Sequence, residues 1–162
     1  MKVVITGHTS GLGKAIFDHM TTKSHEVIGL SRSNGFEFPQ RINDAVKIAQ
    51  EADLFINNAH VNITQAIFLK MLSNKVDIIT SGSMGADYAF LGNAYYQDKK
   101  AIQEAHKSCR RTSKYNMLLL KMGYLENHTD KINTIKYSQV LSAIDFWLEN
   151  PRITLIEFDN IK

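Results

Sequence analysis

Within YYQDKK, residues 95–100, two phenols each stand four positions before an ammonium: Tyr95 with Lys99, and Tyr96 with Lys100. On a helix that separation puts both groups on one face, a turn apart. Such a pair suits proton transfer. A phenol has a pKa of about 10 in isolation, and lowering it by about three units takes roughly 4 kcal/mol in favour of the phenolate. A positive charge one turn away supplies part of that. A second chemical signal lies near the start, where TGHTSGLG (6–13) sets Gly7, Gly11 and Gly13 directly after the apolar run VVI. Glycine adopts positive φ freely and lets a bound group approach the backbone. The amides and dipole of a following helix N-terminus favour an anion such as a phosphate.

These groups need elements to hold them. Short apolar runs occur at 3–6 (VVIT), 26–31 (EVIGLS), 54–57 (LFIN), 76–80 (VDIIT), 117–121 (MLLLK) and 153–158 (ITLIEF). They are mostly not alternating, as expected of strands buried on both faces of a parallel sheet. Between them the spacing predicts helices. Leu12, Ala15, Ile16 and Met20 share a face, as do Ile42, Ala45, Val46 and Ala49. Ala101, Ile102, Ala105 and Cys109 repeat in the same way, followed by Val140, Leu141, Ile144, Trp147 and Leu148. Strand–helix alternation from end to end predicts an α/β fold, a doubly wound, mostly parallel Rossmann-type sheet with helices on both faces. Such sheets bind ligands outside the carboxyl ends of their strands. Chemistry is therefore expected just after Ile5, Leu30, Ile56, Thr80 and Lys121.

The bulk numbers agree with that reading. A chain of 162 residues, 44% hydrophobic and 22% charged with two prolines, suits one domain over 1–162. A net charge of +3 and a pI near 8.9 fit an anionic ligand but fall short of a dedicated nucleic-acid binder. The one cysteine, Cys109, excludes an internal disulfide and suits a reducing compartment. No apolar run reaches membrane-spanning length, and MKVVITG is too short in its apolar part for a signal peptide. A cytoplasmic protein with no membrane partner is expected. Six histidines, at 8, 19, 25, 60, 106 and 128, show no metal-binding spacing, so no metal is expected. The basic stretch 106–114 reads as a helix end, where cations suit the dipole, and no nucleic-acid partner is expected.

Several motifs occur in order: T-G-x-x-x-G-x-G at 6–13, NNAH at 57–60, IITSGSMG at 78–85, Y-x-x-x-K at 95–100 and KMGYLEN at 121–127. This ordered set resembles the short-chain dehydrogenase/reductase family in a shortened form, over essentially the whole chain. The resemblance implies a single domain carrying both a nicotinamide cofactor and a substrate. Gly7, Ser10, Gly11, Leu12 and Gly13 would seat the pyrophosphate, and Asn57 and Ala59, with Asn58 more loosely, would meet the cofactor beside neighbouring strands. Gly123 would let the chain pass the nicotinamide. The implied catalytic set is Ser83, Tyr96 and Lys100: Ser83 positions the substrate oxygen, Tyr96 is the acid/base, and Lys100 lowers its pKa and holds ribose. Tyr96/Lys100 is preferred over Tyr95/Lys99 because Lys100 precedes Ala101 and Ile102, as in the family. Ser83 is preferred over Ser81 for its thirteen-residue interval to Tyr96. Both alternatives stay open.

Cofactor choice is read after the second strand, where an acid accepts from a ribose 2′-OH and a base accommodates a 2′-phosphate. GLSRS offers Arg32, with Ser31 and Ser33 as added donors and no acid until Glu37, so NADP(H) is expected over NAD(H). The resemblance has gaps. Only 22 residues separate His60 from Ser83, where the family fits a long helix bearing a fourth catalytic residue, an asparagine; Asn62 and Asn74 do not align with it. His60 replaces the glycine of N-N-A-G, and Met122 the proline of P-G. The expectation is an oxidoreductase passing hydride between nicotinamide and a carbonyl or secondary alcohol of a small molecule, with a homo-oligomer among the assemblies open to it. The alternative is a catalytically weak or inactive NADP-binding sensor on the same fold.

Overall fold

The computed structural model describes residues 1–128 and 133–160, with side chains omitted for 89–91. Among the described residues six strands form one sheet: β1 (Lys2–Thr6), β2 (Glu26–Leu30), β3 (Leu54–Asn57), β4 (Asp77–Ser81), β5 (Met117–Met122) and β6 (Leu155–Phe158). Their order is β2-β1-β3-β4-β5-β6, and every adjacent pair is parallel. Each expected run became a strand, with ends shifted by a residue or two. Five helices connect them: α1 (Gly11–Thr22), α2 (Ile42–Ala49), α3 (Thr64–Leu72), α4 (Ala94–Arg110) and α5 (Tyr137–Glu149). α3 departs from the sequence reading. The interval thought too brief for the family's helix holds a nine-residue one. Its apolar residues crowd several faces, so no clean periodicity announced it.

The alternating pleat sends the strand residues to two cores. Val4, Phe55, Ile78 and Leu119 face α2, α3 and α4, which contribute Ala45, Val46, Phe68, Leu69 and Ile102. Val3, Ile5, Ile56, Leu118 and Leu120 face α1 and α5, with Ile16, Met20, Ile144 and Trp147. Both sheet faces are covered, which explains why the strand sequences are apolar throughout rather than alternating. The connection from β1 through α1 runs one way along the sheet, to β2; the next strand, β3, lies on the other side of β1. That reversal leaves a crevice between the carboxyl ends of β1 and β3, the place where such sheets accept ligands.

Candidate functional site

The crevice is a cleft of about 830 Å³ lined by the β1–α1 loop, the end of β2 and the segment after β3. Gly7, Ser10, Leu12 and Gly13 all line it. Gly7 has φ +71°, a conformation that strains any other residue. At Gly13 a Cβ would strike the carbonyl oxygen of Gly7 and sit 2.5 Å from Asn58 Nδ2, so only glycine lets the helix start pack this closely on the loop. Gly11 is exposed at the first turn of α1. Ser10 is the N-cap but makes no side-chain capping bond, which leaves the first-turn amides to an external acceptor. This cradle fits a diphosphate. His8 points away from it: its ring covers Gly29 and lies 5.1 Å from Phe17.

Thr6 joins the two loops. Its Oγ1 accepts from the amides of Asn58 and Ala59 at 3.0 Å each, and Asn58 Nδ2 donates to the carbonyls of Thr6 (3.2 Å) and Gly7 (3.3 Å). Asn58, Ala59 and His60 line the cleft, whereas Asn57 is wholly buried beneath it, donating through Nδ2 to the Gln65 carbonyl at 2.8 Å. At the far rim stand Ser31, Arg32, Ser33 and also Glu37. Ser31 and Ser33 share a 2.8 Å hydroxyl bond, and Asn34 braces the turn by accepting from the Ser31 amide.

A second pocket of about 140 Å³ shares Leu12 and Asn58 with the cleft and is lined further by Ser81, Ser83, Tyr95, Lys99, Met122 and Gly123. Asn93 fixes the phase of α4, its side chain accepting from the Tyr95 amide at 2.9 Å. That phase places the two pairs differently. Lys99 is buried and lies 5.6 Å from the centre of the Tyr95 ring, while Lys100 is exposed and does not line the pocket. Tyr96 packs instead beneath the 3-10 segment Met84–Leu91, against Gly85 and near Tyr88. The physical reason is helical phase: Ile102 and Ala105 are the core-facing residues of α4, and one turn before Ile102 on that face comes Lys99. Burial pulls Lys99 down to about 8, with Asp98 pushing back.

The two serines divide their work. Ser81 lies buried at the end of β4, its hydroxyl donating to the Asn58 carbonyl (3.2 Å) and accepting from Gln65 (3.3 Å). Ser83 is half-buried, and its Oγ accepts from the Gly85 amide at 3.0 Å, so its own proton is open to a ligand. Gly123 lines the pocket, and a Cβ there would collide with Asn160. His60 Nε2 stands 3.5 Å from Asp98 and its ring 5.1 Å from that of Tyr95. Burial first, and the Lys99 charge second, hold His60 below the usual imidazole range against the pull of Asp98. Asn62 and Asn74 are exposed; the group that reaches the lysine from α3 is Gln65, which the sequence reading missed.

No protein-family profile matches the chain, and no curated protein matches it in sequence. Solved structures do match in shape. The 3-alpha-hydroxysteroid dehydrogenase of Pseudomonas sp. B-0831, complexed with NADH, superposes with a TM-score of 0.75 at 16% identity, over 99% of this chain and 96% of that one. The 3-ketoacyl-(acyl-carrier-protein) reductase of Brucella melitensis, also with NADH, gives 0.76 at 15%, over 98% and 96%. The dTDP-4-dehydrorhamnose reductase of Bacillus anthracis, in complex with NADP, gives 0.71 at 13%, over 99% and 76%. The chain thus shares its Rossmann-type fold with these solved dehydrogenases and reductases.

Proposed function

We propose that the chain is an NADP-dependent oxidoreductase of the short-chain dehydrogenase/reductase family, passing a hydride between the nicotinamide and a carbonyl or secondary alcohol of a small molecule. One observation carries this: Lys99, buried in a pocket that shares Leu12 and Asn58 with the glycine cleft, lies beside Tyr95 among Ser81, Ser83 and Gly123. A buried, perturbed ammonium beside a phenol and two serine hydroxyls in one pocket is a grouping of the kind found where protons are moved.

The bound cofactor would supply or accept the hydride; the chain's own residues do the rest. Gly7, Ser10, Gly11, Leu12 and Gly13 hold the diphosphate on the loop and the first turn of α1. Asn58 and Ala59 close the opposite wall, and Asn57 supports them from below. Ser83 donates a hydrogen bond to the substrate oxygen, keeping its own proton, and holds that oxygen within reach of Tyr95. During reduction Tyr95 gives that oxygen its proton; during oxidation it takes one away. Lys99 places its positive charge beside Tyr95 and takes the ribose-holding role first read for Lys100. Arg32, with Ser31 and Ser33, meets a 2′-phosphate. The small pocket restricts the reacting end of the substrate, while exposed Tyr95 and His128 leave its remainder in solvent.

Separate titrations with NADPH and NADH, followed by NADPH oxidation against a panel of small carbonyl compounds, test the reading. Tighter NADPH binding and turnover of at least one carbonyl are expected. Tight binding with no turnover across the panel would turn the reading to the cofactor sensor. Equal affinity for both cofactors would remove the role given to Arg32.

A further inference from the structure

Gln65, the second residue of α3, is fully buried at 0% exposure, and every polar atom of its side chain is engaged. Its Oε1 accepts from Lys99 Nζ at 3.0 Å. Its Nε2 donates to the carbonyls of Asn57 (2.8 Å) and Ser81 (3.1 Å), with the Ser81 hydroxyl at 3.3 Å. Its backbone carbonyl is in turn held by the Asn57 side chain. The chemistry of these partners fixes the amide one way round. Carbonyls only accept and an ammonium only donates, so a flipped amide would set oxygen against two oxygens and NH₂ against NH₃⁺.

We propose that Gln65 is a positioning residue for proton transfer: its amide oxygen anchors the Lys99 ammonium beside Tyr95, and its amide nitrogen ties that anchor to the ends of β3 and β4. The inference rests on the assignment of Tyr95 and Lys99 above. Around Lys99 the other titratable groups are Asp98 and Tyr95 on α4 and His60 after β3. Asp98 is the one whose charge supports the ammonium, and it lies toward His60. Gln65 is the neutral acceptor that lets the ammonium stay charged where water is excluded. A glutamine that merely joined two strand ends would leave the protonation of Lys99 unaffected. That difference is measurable.

The full chain is compared as wild type, Gln65→Met and Gln65→Glu, with the Lys99 titration followed by NMR of labelled lysine, assigned through Lys99→Met. Methionine fills the volume but offers the ammonium no oxygen; glutamate keeps an oxygen there and adds charge. The Lys99 midpoint is expected to fall by at least about one pH unit in Gln65→Met and to rise in Gln65→Glu, each unit being a tenfold change in proton affinity. The alkaline limb of the turnover profile should move with it. If Gln65→Met does not fold, the upward shift in Gln65→Glu decides. Unmoved midpoints in the folded variants would overturn the role of Gln65. Tyr95→Phe separates this from the parent reading: undiminished turnover there sinks the Tyr95 assignment, whereas an inactive Tyr95→Phe with unmoved Lys99 midpoints removes Gln65 alone.

Discussion

The glycine cleft and the α4 pocket, proposed above as the cofactor and proton-transfer sides of one site, are built by different physics. The β1–α1 loop acts through its backbone: amides at a helix start, a glycine at positive φ, and another admitting a carbonyl where a Cβ would not fit. The α4 side acts through side chains whose meaning depends on which face of a helix turns inward. Backbone sites are written in the spacing of glycines. Side-chain sites are written in phase, and phase is easily misjudged by one residue. In YYQDKK a shift of one exchanges a buried lysine for an exposed one.

The sharpest way to break this contrast is on α4 itself. Lys99→Met is expected to lower turnover at least about a hundredfold, within the range for loss of support to a general acid, while Lys100→Met leaves it within about twofold. Steady-state rates at saturating NADPH check both. Equal losses would mean that the buried face is not the working one.

The same helix carries a second buried base, and the two should mark opposite ends of the pH scale. His106 is held down to about 4 by burial, with the Arg110 charge lowering it further and a backbone bond to Met117 opposing. Between pH 6.5 and 4 the unfolded chain binds a proton there that the native state does not, so stability falls on acidification. The loss by pH 4 is about 3 kcal/mol, and His106→Leu should remove it in denaturant melts across that window. Lys99, lowered to about 8, has the same sign in another window: stability rises as pH climbs from 8 toward 10.5. Lys99→Met should flatten that rise.

On the cofactor side the expected failure is steric. Gly13→Ala forces α1 away from the Gly7 carbonyl and Asn58, costing roughly 1–3 kcal/mol of stability together with a weaker dinucleotide titration. If Gly13→Ala folds and binds normally, the cradle is looser than its geometry suggests. Arg32→Ala is the mildest change. It should lower the preference for NADPH over NADH about tenfold, near 1.4 kcal/mol, with NADH binding unaltered. Glu37 shares that rim, so Glu37→Ala should move the preference in the same sense as added positive charge.

Much of this was legible in advance, for physical reasons. Strands covered on both faces must be apolar throughout, so VVIT, LFIN and MLLLK announced a parallel sheet and the crevice above it. Thr6, read only as a motif letter, and Asn58, given a cofactor-side role only loosely, form the hydrogen bonds that clasp β1 to the segment after β3. Two features were harder to see. The choice of Tyr96 and Lys100 followed the residues after the lysine; extending the apolar stripe of Ile102 and Ala105 back one turn leads to Lys99 instead. Gln65 left no trace, because a buried glutamine is defined by partners 8, 16 and 34 positions away. At Gly123 the structure adds a neighbour the sequence could not show: Asn160, 37 positions on, occupies the space a Cβ would need.

The central claim is that the phenol facing the buried lysine is the one that moves the proton. Turnover of Tyr95→Phe and Tyr96→Phe, measured side by side on one carbonyl substrate with NADPH affinity as control, tests it most directly. The account predicts a loss of at least about a hundredfold for Tyr95→Phe with binding retained, and near wild-type rates for Tyr96→Phe. The reverse pattern, or no loss in either, would contradict it.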